Sequence, residues 1–184
     1  IDGDTKKLFE LNQYFSDYDL EEVKIAKKFQ SRAFYLKDIL RLDYSKKIYK
    51  EEADASQPNN TPSREKIFRE NDMLYDGKRI KEIYVNTVTT KQDRNPNSGL
   101  ITYVNGKEGK AKWRYLTSRE CFMLMGFDEV DYERAISINP EYLKGKKLLT
   151  NEKMIKMAGN SICVDVLVAL FKQIIEIDEM LFEG

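Results

Sequence analysis

The sequence predicts an α+β protein in which a small β-rich region with long loops leads into a C-terminal helical lobe. Residues 78–85 alternate in polarity and residues 100–104 are β-branched and aromatic, as in strands. A helix start signal stands at Thr117. An apolar stripe at helical spacing follows near the end of the chain: Leu167, Leu170, Phe171, Ile174 and Leu181. We therefore expect a helical segment at 1–33, the loop-rich region at 34–113 and a helical lobe at 114–184.

The charge of the chain is balanced as a whole but uneven along its length. The 184 residues carry 31 basic and 31 acidic side chains, and this length suits one domain or two small lobes. Residues 61–119 hold 13 basic and 7 acidic side chains, a net of +6, whereas 1–60 have a net of −1 and 120–184 a net of −5. This local excess favours a nucleic-acid surface, with a solvated basic loop as the alternative.

Residue usage excludes several classes of site. The chain has no histidine, so it cannot form a Ser-His-Asp triad or a His-ligated zinc site, and we expect no metal. Cys121 and Cys163 stand apart in apolar stretches and form no CxxC pair, which favours reduced cytoplasmic thiols. No uninterrupted apolar run reaches the roughly 18–20 residues of a membrane span, and no signal peptide is visible. Because the first residue is Ile, we expect a chain processed or cut from something longer.

The first 63 residues predict helices followed by a loop. Two helical stretches are expected before residue 30, the second beginning near Asp19. Residues 51–63 are rich in turn formers and are expected to be a loop.

The middle of the chain predicts strands around a polar loop. The strand at 78–85 is expected to continue through 86–90, and residues 91–99 form a loop of hydrogen-bond donors and acceptors. Arg can pair with guanine and Asn or Gln with adenine, each pair discriminating by about 1–3 kcal/mol. By composition alone an ordinary exposed hairpin loop is the favoured interpretation. The strand at 100–104 ends at Asn105-Gly106, the strongest short hairpin signal.

A capped helix follows at residues 114–127. Thr117 and Glu120 form a capping box ahead of an apolar run, and Gly126 stands where a helix end requires positive φ. We expect Arg114 and Arg119 to be buried anchors that pair with carboxylates or carbonyls, with a solvated role as the alternative.

The remaining chain predicts a variable connection and two helices. Residues 128–150 are polar, with an exposed turn at 144–147. A helix from about Asn151 is expected to end at Gly159, and the last helix to open near Ser161.

Two phrases near the C-terminus resemble conserved motifs of the DNA (cytosine-5)-methyltransferases. Arg-x-Leu-Thr-x-Arg-Glu, then apolar residues and Gly-Phe, at 114–127, is similar to the ninth motif of that family. Residues 156–164, with Gly159-Asn160-Ser161-Ile162, resemble the tenth. Residues 34–40 resemble the phrase that opens the target-recognition region, and Thr87-Val88 resembles the pair before its second recognition loop. The resemblance covers roughly the last 150 residues.

The resemblance implies recognition of double-stranded DNA by this chain and chemistry carried by a catalytic lobe or subunit. In the family, a cysteine from a Pro-Cys motif attacks a flipped cytosine, and S-adenosylmethionine supplies the methyl group. This sequence has no Pro-Cys pair, no glycine-rich cofactor loop and no Glu-Asn-Val segment, so we expect no catalytic residue and no activity of the chain alone.

The same resemblance implies roles for individual residues. The cofactor pocket of a complete enzyme would be closed by Asn160, Ser161 and Ile162. The DNA-contacting set would be Lys78, Arg79, Thr87, Thr89, Thr90, Lys91, Gln92, Asp93, Arg94, Asn95, Asn97 and Ser98. The structural set would be Arg114, Thr117, Arg119, Glu120, Gly126 and Gly159.

Two other functions remain open at this point. A non-enzymatic DNA-binding or regulatory protein could use the same recognition fold without a methyltransferase lobe. A generic α+β interaction domain would also fit the composition.

Overall fold

The computed structural model describes residues 3–17, 35–81 and 85–182, which form two compact units. One unit comprises residues 34–161, and the other comprises 1–33 together with 162–184. The elements are mixed helices and short strands, which confirms the α+β class. The division by contacts differs from the three segments expected from sequence, because residues 114–161 group with the region before them.

The larger unit has eleven elements in its described residues. Its helices are α2 (Leu36–Ile39), α3 (Lys47–Ala55), α4 (Pro62–Glu70), α5 (Ser118–Leu124), α6 (Glu129–Ser137) and α7 (Asn151–Asn160). Its strands are β1 (Met73–Tyr75), β2 (Leu100–Thr102), β3 (Trp113–Arg114), β4 (Glu141–Leu143) and β5 (Lys146–Lys147). Strands therefore do not dominate residues 34–113, where three helices accompany three short strands.

The central sheet has the order β1-β2-β3. β1 pairs with β2 in parallel, with Met73 opposite Leu100, and β2 pairs with β3 antiparallel, with Ile101 opposite Arg114. The core beside the sheet contains Leu100, Ala111, Trp113 and Tyr115. The rings of Trp113 and Tyr115 meet edge to face at 5.1 Å, a favoured aromatic geometry.

Side-chain caps set the starts of several helices. The Thr61 hydroxyl accepts from the Arg64 amide, and Pro62 occupies the first turn of α4. At α5 both halves of the predicted capping box are present between Thr117 and Glu120. Gly126 follows α5 with φ +84°, as expected for a residue just past a helix end.

Four local expectations for the larger unit are wrong. The loop expected at 51–63 is limited to residues 56–61, because α3 extends to Ala55 and α4 begins at Pro62. The strand at 78–85 is absent among its described residues apart from a single bridge between Tyr75 and Ile80, and 86–90 form no strand. Residues 82–84 lie outside the described residues. The connection between β2 and β3 spans 103–112, which is longer than a two-residue hairpin turn.

The fourth correction concerns the two C-terminal helices. α7 continues through Gly159 to Asn160, and α8 (Val164–Phe182) begins later than the expected Ser161. Gly159 is therefore helical and does not lead a turn. The polar connection at 128–150 contains α6 and a small hairpin, and its turn at 144–147 is exposed as expected.

The smaller unit contains α1 (Thr5–Asp17) and α8 in its described residues. The Tyr14 hydroxyl donates to Glu176 at 3.1 Å, and Leu181 is buried. The second expected N-terminal helix, near Asp19, lies outside the described residues. Several predicted core positions of α8 are instead exposed: Leu170, Phe171 and Ile174.

One segment of the described chain is long and apolar enough to cross a membrane by length and composition alone. It falls within Asn151–Phe182. Helices that pack against protein pass the same test, and Asp165, Lys172 and Glu176 interrupt the apolar run of α8. This is weak evidence for a membrane.

Candidate nucleic-acid interface

Residues 85–99 include the loop expected to contact DNA, and we call this segment the recognition loop. It is irregular and is ordered by backbone hydrogen bonds. The amides of Arg94 and Asn95 donate to the Lys91 carbonyl at 2.8 and 2.7 Å, and the Gly99 amide donates to Pro96 at 2.9 Å. These bonds make a tight turn at 91–95 and a second one at 96–99. The loop therefore presents its side chains from a hydrogen-bonded frame.

Gln92 joins the two sides of the recognition loop from inside. Its side chain is 0% exposed, its Oε1 accepts from the Ser98 amide at 3.1 Å, and its Nε2 donates to the Gly99 carbonyl at 3.4 Å. Ser98 is buried beside it. The expectation that Gln92 and Ser98 contact DNA is corrected here, because neither side chain reaches the surface and Gln92 braces the loop.

The outer side of the recognition loop is polar and exposed. Its exposed residues include Asn86 and a group of four, Lys91, Arg94, Asn95 and Asn97, which we call the exposed face. Thr87 is also exposed, whereas Thr89, Thr90 and Asp93 are half-buried. The Asn97 amide donates to the Thr87 carbonyl at 3.2 Å, so the loop is braced on this side too. The exposed face holds two cations and two amides, which suit phosphates and base edges respectively.

Arg94 pairs with Glu152 in the first turn of α7. Its Nε also lies 3.6 Å from the Asp93 carboxylate. Both side chains of the Arg94–Glu152 pair are more than half exposed. Glu152 thus competes with any phosphate or base for this guanidinium, and sequence reasoning missed it because the partners are 58 residues apart.

Lys78 and Arg79 lie on an exposed turn after β1. Both backbone amides donate to one carboxylate oxygen of Asp76 at 2.8 Å. These bonds lower the pKa of Asp76, with the Arg79 amide as the larger cause. Both cationic side chains project from this turn into solvent.

Gly159 lets α7 approach the recognition loop closely. A Cβ at this position would lie 2.3 Å from the Thr89 carbonyl carbon and 2.3 Å from the Thr90 nitrogen. Both atoms belong to the backbone, so no side-chain rotation could relieve the overlap. The glycine of the phrase that resembles the tenth motif thus supports the loop.

Arg114 and Glu120 form a fully buried ion pair in the larger unit. The two nitrogen–oxygen distances are 2.8 and 2.9 Å. Burial alone would raise the pKa of Glu120, but Arg114 and amide hydrogen bonds outweigh it and lower that pKa. The carboxylate therefore stays ionised, and the anchor expected for Arg114 is present.

Arg119 connects three helices of the larger unit. It pairs with Glu52 of α3 at 2.9 Å and with Glu129 and Glu133 of α6 at 2.9 and 3.1 Å. Its guanidinium also stacks over the Tyr132 ring at 4.8 Å. The Arg119 side chain is buried, as expected for an anchor.

Neither described thiol has the setting of a nucleophile. Cys121 is buried, and its pKa is raised by burial and then by the neighbouring Glu120 charge. A raised pKa leaves little thiolate at neutral pH. Cys163 is half-buried. Within the described ranges no group of acidic or cysteine side chains could hold a metal.

The three residues expected at the cofactor pocket differ in exposure. Asn160 is exposed at the end of α7, and Ile162 is 60% exposed. The Ser161 hydroxyl donates to the Ala158 carbonyl at 2.7 Å and is half-buried. The side chains of Asn160 and Ile162 are therefore both accessible to solvent.

Comparison with known proteins adds a family assignment. The family model for C-5 cytosine-specific DNA methylase matches residues 4–176. The Orphan methyltransferase M.Rho11sI of Bacillus phage rho11s is 40% identical over 70 residues, which are 38% of this chain and 12% of that protein. The Type II methyltransferase M2.ScrFI of Lactococcus lactis subsp. cremoris is 29% identical over 145 residues, 79% of this chain and 34% of that protein.

The chain spans only a minor part of the length of these two relatives. The aligned regions span 12% and 34% of the two relatives. The family match, by contrast, runs through both structural units. The chain belongs to the C-5 cytosine-specific DNA methylase family.

Proposed function

We propose that this chain is the target-recognition and C-terminal portion of an S-adenosylmethionine-dependent DNA (cytosine-5)-methyltransferase. It acts as one subunit of a split enzyme or as part of a longer chain, and it works on duplex DNA in the cytoplasm. The observation that carries this proposal is the exposed face of the recognition loop, braced from behind by Gln92 and Gly159 in a chain of this family.

Recognition is assigned to the exposed face and the turn at Lys78-Arg79. Backbone hydrogen bonds and the Gln92 side chain already hold the loop in one conformation, so it loses little conformational freedom on binding. Its outer groups can then read base edges, with Arg94 exchanging Glu152 for DNA. Lys91 and Arg94 suit phosphate or guanine, and Asn95 and Asn97 suit adenine. Thr87, Thr89, Thr90 and Asp93 support this surface from its margin.

The chemistry is assigned to a catalytic lobe outside this sequence. The 184 residues contain no Pro-Cys pair, and Cys121 is buried with a raised pKa. A flipped base could not reach that thiol. We therefore expect no methyl transfer by this chain alone.

The smaller unit is the proposed contact with that catalytic lobe. α1 and α8 expose large apolar side chains in their described residues, including Phe9, Val166, Phe171 and Ile175. Such a concentration of exposed apolar surface is typical of a protein interface. From the resemblance to the tenth motif, we assign Asn160, Ser161 and Ile162 to the edge of the pocket where S-adenosylmethionine supplies its methyl group.

The relatives are named as orphan and type II methyltransferases. The likeness to the type II methyltransferase supports a role in a DNA-modifying system of the restriction–modification kind. A non-enzymatic DNA-binding protein is the second candidate, favoured by the lack of a Pro-Cys pair in this sequence.

Fluorescence anisotropy with short labelled duplexes tests the proposal. The chain is titrated alone and together with a family catalytic lobe that carries the Pro-Cys motif. We expect duplex binding that strengthens with the lobe and weakens in Arg94→Gln, with Arg69→Gln on α4 as the matched control. Binding in neither setting would overturn the proposal, and binding unchanged by the lobe would favour the non-enzymatic candidate.

A further inference from the structure

A small basic hairpin projects from the larger unit outside the recognition loop. β4 pairs antiparallel with β5, with Glu141 opposite Lys147 and Leu143 opposite Lys146. Gly145 closes the turn with φ +71°, a conformation that other residues rarely adopt. All residues from 141 to 148 are exposed, so the hairpin contributes nothing to the core.

The base of this hairpin is nevertheless firmly held. Asn139 is buried, its Nδ2 donates to the Leu149 carbonyl at 2.7 Å, and its Oδ1 accepts from the Leu149 amide at 2.8 Å. The Leu148 amide donates to Pro140 at 2.9 Å. The buried Asn139 side chain therefore joins the two ends of the exposed hairpin and fixes the direction of the hairpin tip. We call residues 139–149 the basic hairpin.

The tip of the basic hairpin carries cations. Lys144, Lys146 and Lys147 are exposed and form no ion pair within the described part of the chain. Glu141 is the one acidic residue in the strands and turn, so this segment has a net charge of +2. The Lys147 Nζ donates to the Asn139 carbonyl at 3.4 Å and so lies nearer the base of the hairpin than the other two ammonium groups. Three ammonium groups spaced along a clamped ribbon suit a row of phosphates.

The basic hairpin and the recognition loop are both tied to the first turn of α7. Lys153 donates to the Leu148 carbonyl at 2.9 Å and lies 5.8 Å from the centre of the Tyr142 ring. The preceding residue, Glu152, pairs with Arg94 of the recognition loop. Lys153 and Glu152, adjacent residues in the first turn of α7, therefore contact the basic hairpin and the recognition loop respectively. The two segments lie next to each other on the surface for this reason.

We infer that the basic hairpin is a second DNA contact, which binds the phosphate backbone beside the site read by the recognition loop. This inference rests on the proposed function and extends it, because the hairpin supplies affinity that does not depend on base sequence. Lysine is a point charge without a planar fork, so it suits phosphate contact better than base reading.

The salt dependence of DNA binding tests this inference without knowledge of the recognised sequence. The full chain is titrated against mixed-sequence duplexes over a range of salt concentrations, with and without Lys144→Gln, Lys146→Gln and Lys147→Gln together. We expect affinity to fall for all sequences alike, and the slope of log K against log salt to lessen by about 0.9 for each lost phosphate contact. The matched control is Lys47→Gln, Lys50→Gln and Lys66→Gln, with the same change in charge on α3 and α4.

Lysine acetylation provides a readout that needs no variant. Duplex DNA should protect Lys144, Lys146 and Lys147 from a water-soluble acylating reagent and leave Lys47 and Lys66 reactive. Equal slopes in the hairpin and control variants, or no protection under saturating DNA, would overturn the inference and leave the proposed function standing. A wild-type chain that binds no duplex would overturn both.

Discussion

The Arg114 guanidinium and the Glu120 carboxylate bind each other through two parallel hydrogen bonds, and both side chains are fully buried. The same carboxylate also accepts from the amides of Thr117 and Arg41, each at 2.8 Å. One acidic side chain therefore caps α5, neutralises a buried cation and holds the chain after α2. The phrase at 114–120 is thus an anchor of the larger unit.

Loss of the Glu120 charge should destabilise the protein severely. Glu120→Gln leaves Arg114 buried without a counter-charge, and breaking a buried pair in this way costs about 3–5 kcal/mol. Glu133→Gln is the control, since its exposed carboxylate at the edge of the Arg119 cluster should contribute less than about 1 kcal/mol. Urea unfolding measures both variants. A Glu120→Gln variant as stable as Glu133→Gln would contradict the anchor role.

The free energy of unfolding should depend on pH through the ionisation of Asp54. The side chains of Asn105 and Tyr103 and the Lys107 ammonium donate to its carboxylate, and these bonds, in that order, hold its pKa well below the ordinary value. Because the pKa of Asp54 is lower in the folded protein, its ionised form stabilises the fold at pH values above the unfolded pKa of about 3.9. This contribution to the free energy of unfolding is lost as the pH falls through the folded pKa.

The Asp54→Asn variant tests this dependence. Near neutral pH it should be less stable than the wild type by about 2 kcal/mol, and the difference should shrink below about pH 4. Asp72→Asn, at an exposed carboxylate 3.9 Å from Lys81, is the control. Denaturant unfolding at several pH values makes the measurement, and a difference that is independent of pH would refute the account.

Gly159→Ala should destabilise the protein, although a glycine-to-alanine substitution within a helix is usually stabilising. A helical glycine changed to alanine normally gains about 0.5–1 kcal/mol. Here the added Cβ meets the backbone of Thr89 and Thr90, so we expect a loss of about 1–3 kcal/mol. Asn160→Ala, an exposed site on the same helix, is the control. A stabilised Gly159→Ala protein would show that α7 does not support the recognition loop.

Removal of the Glu152 charge should strengthen DNA binding. Glu152→Gln frees Arg94 and takes an acidic group away from the phosphates, so affinity should rise by about two- to fivefold, in line with an exposed pair worth up to about 1 kcal/mol. Glu65→Gln on α4 removes an equal charge elsewhere. Anisotropy titrations compare the two, and weaker binding by Glu152→Gln would indicate that the Arg94–Glu152 pair is part of the binding conformation.

The features predicted correctly from sequence are governed by near neighbours in the chain. The capping box of Thr117 and Glu120 and the positive φ of Gly126 depend on spacings of a few residues, which are visible in the sequence. The place of Arg114 and Arg119 in the phrase at 114–127 also indicated anchors, although the Arg119 partners Glu52 and Glu129 could not be identified.

The features missed depend on contacts between distant segments. Gln92 has the composition of a base-reading residue, yet its position inside the turn at 91–99 turns it inward. Gly159 was expected to end a helix, but it lies inside α7. A glycine is required there because the Thr89 backbone leaves no room for a Cβ. The alternating pattern at 78–85 favoured a strand. The amides of Lys78 and Arg79 instead donate to the Asp76 carboxylate and form a turn.

Methyl transfer from radiolabelled S-adenosylmethionine to duplex DNA tests the central claim most directly. The chain is assayed alone and with a family catalytic lobe that carries the Pro-Cys motif. We predict no transfer by this chain alone, and transfer to a defined sequence when both parts are present, which Arg94→Gln weakens. Methylation of DNA by the isolated chain would contradict the account.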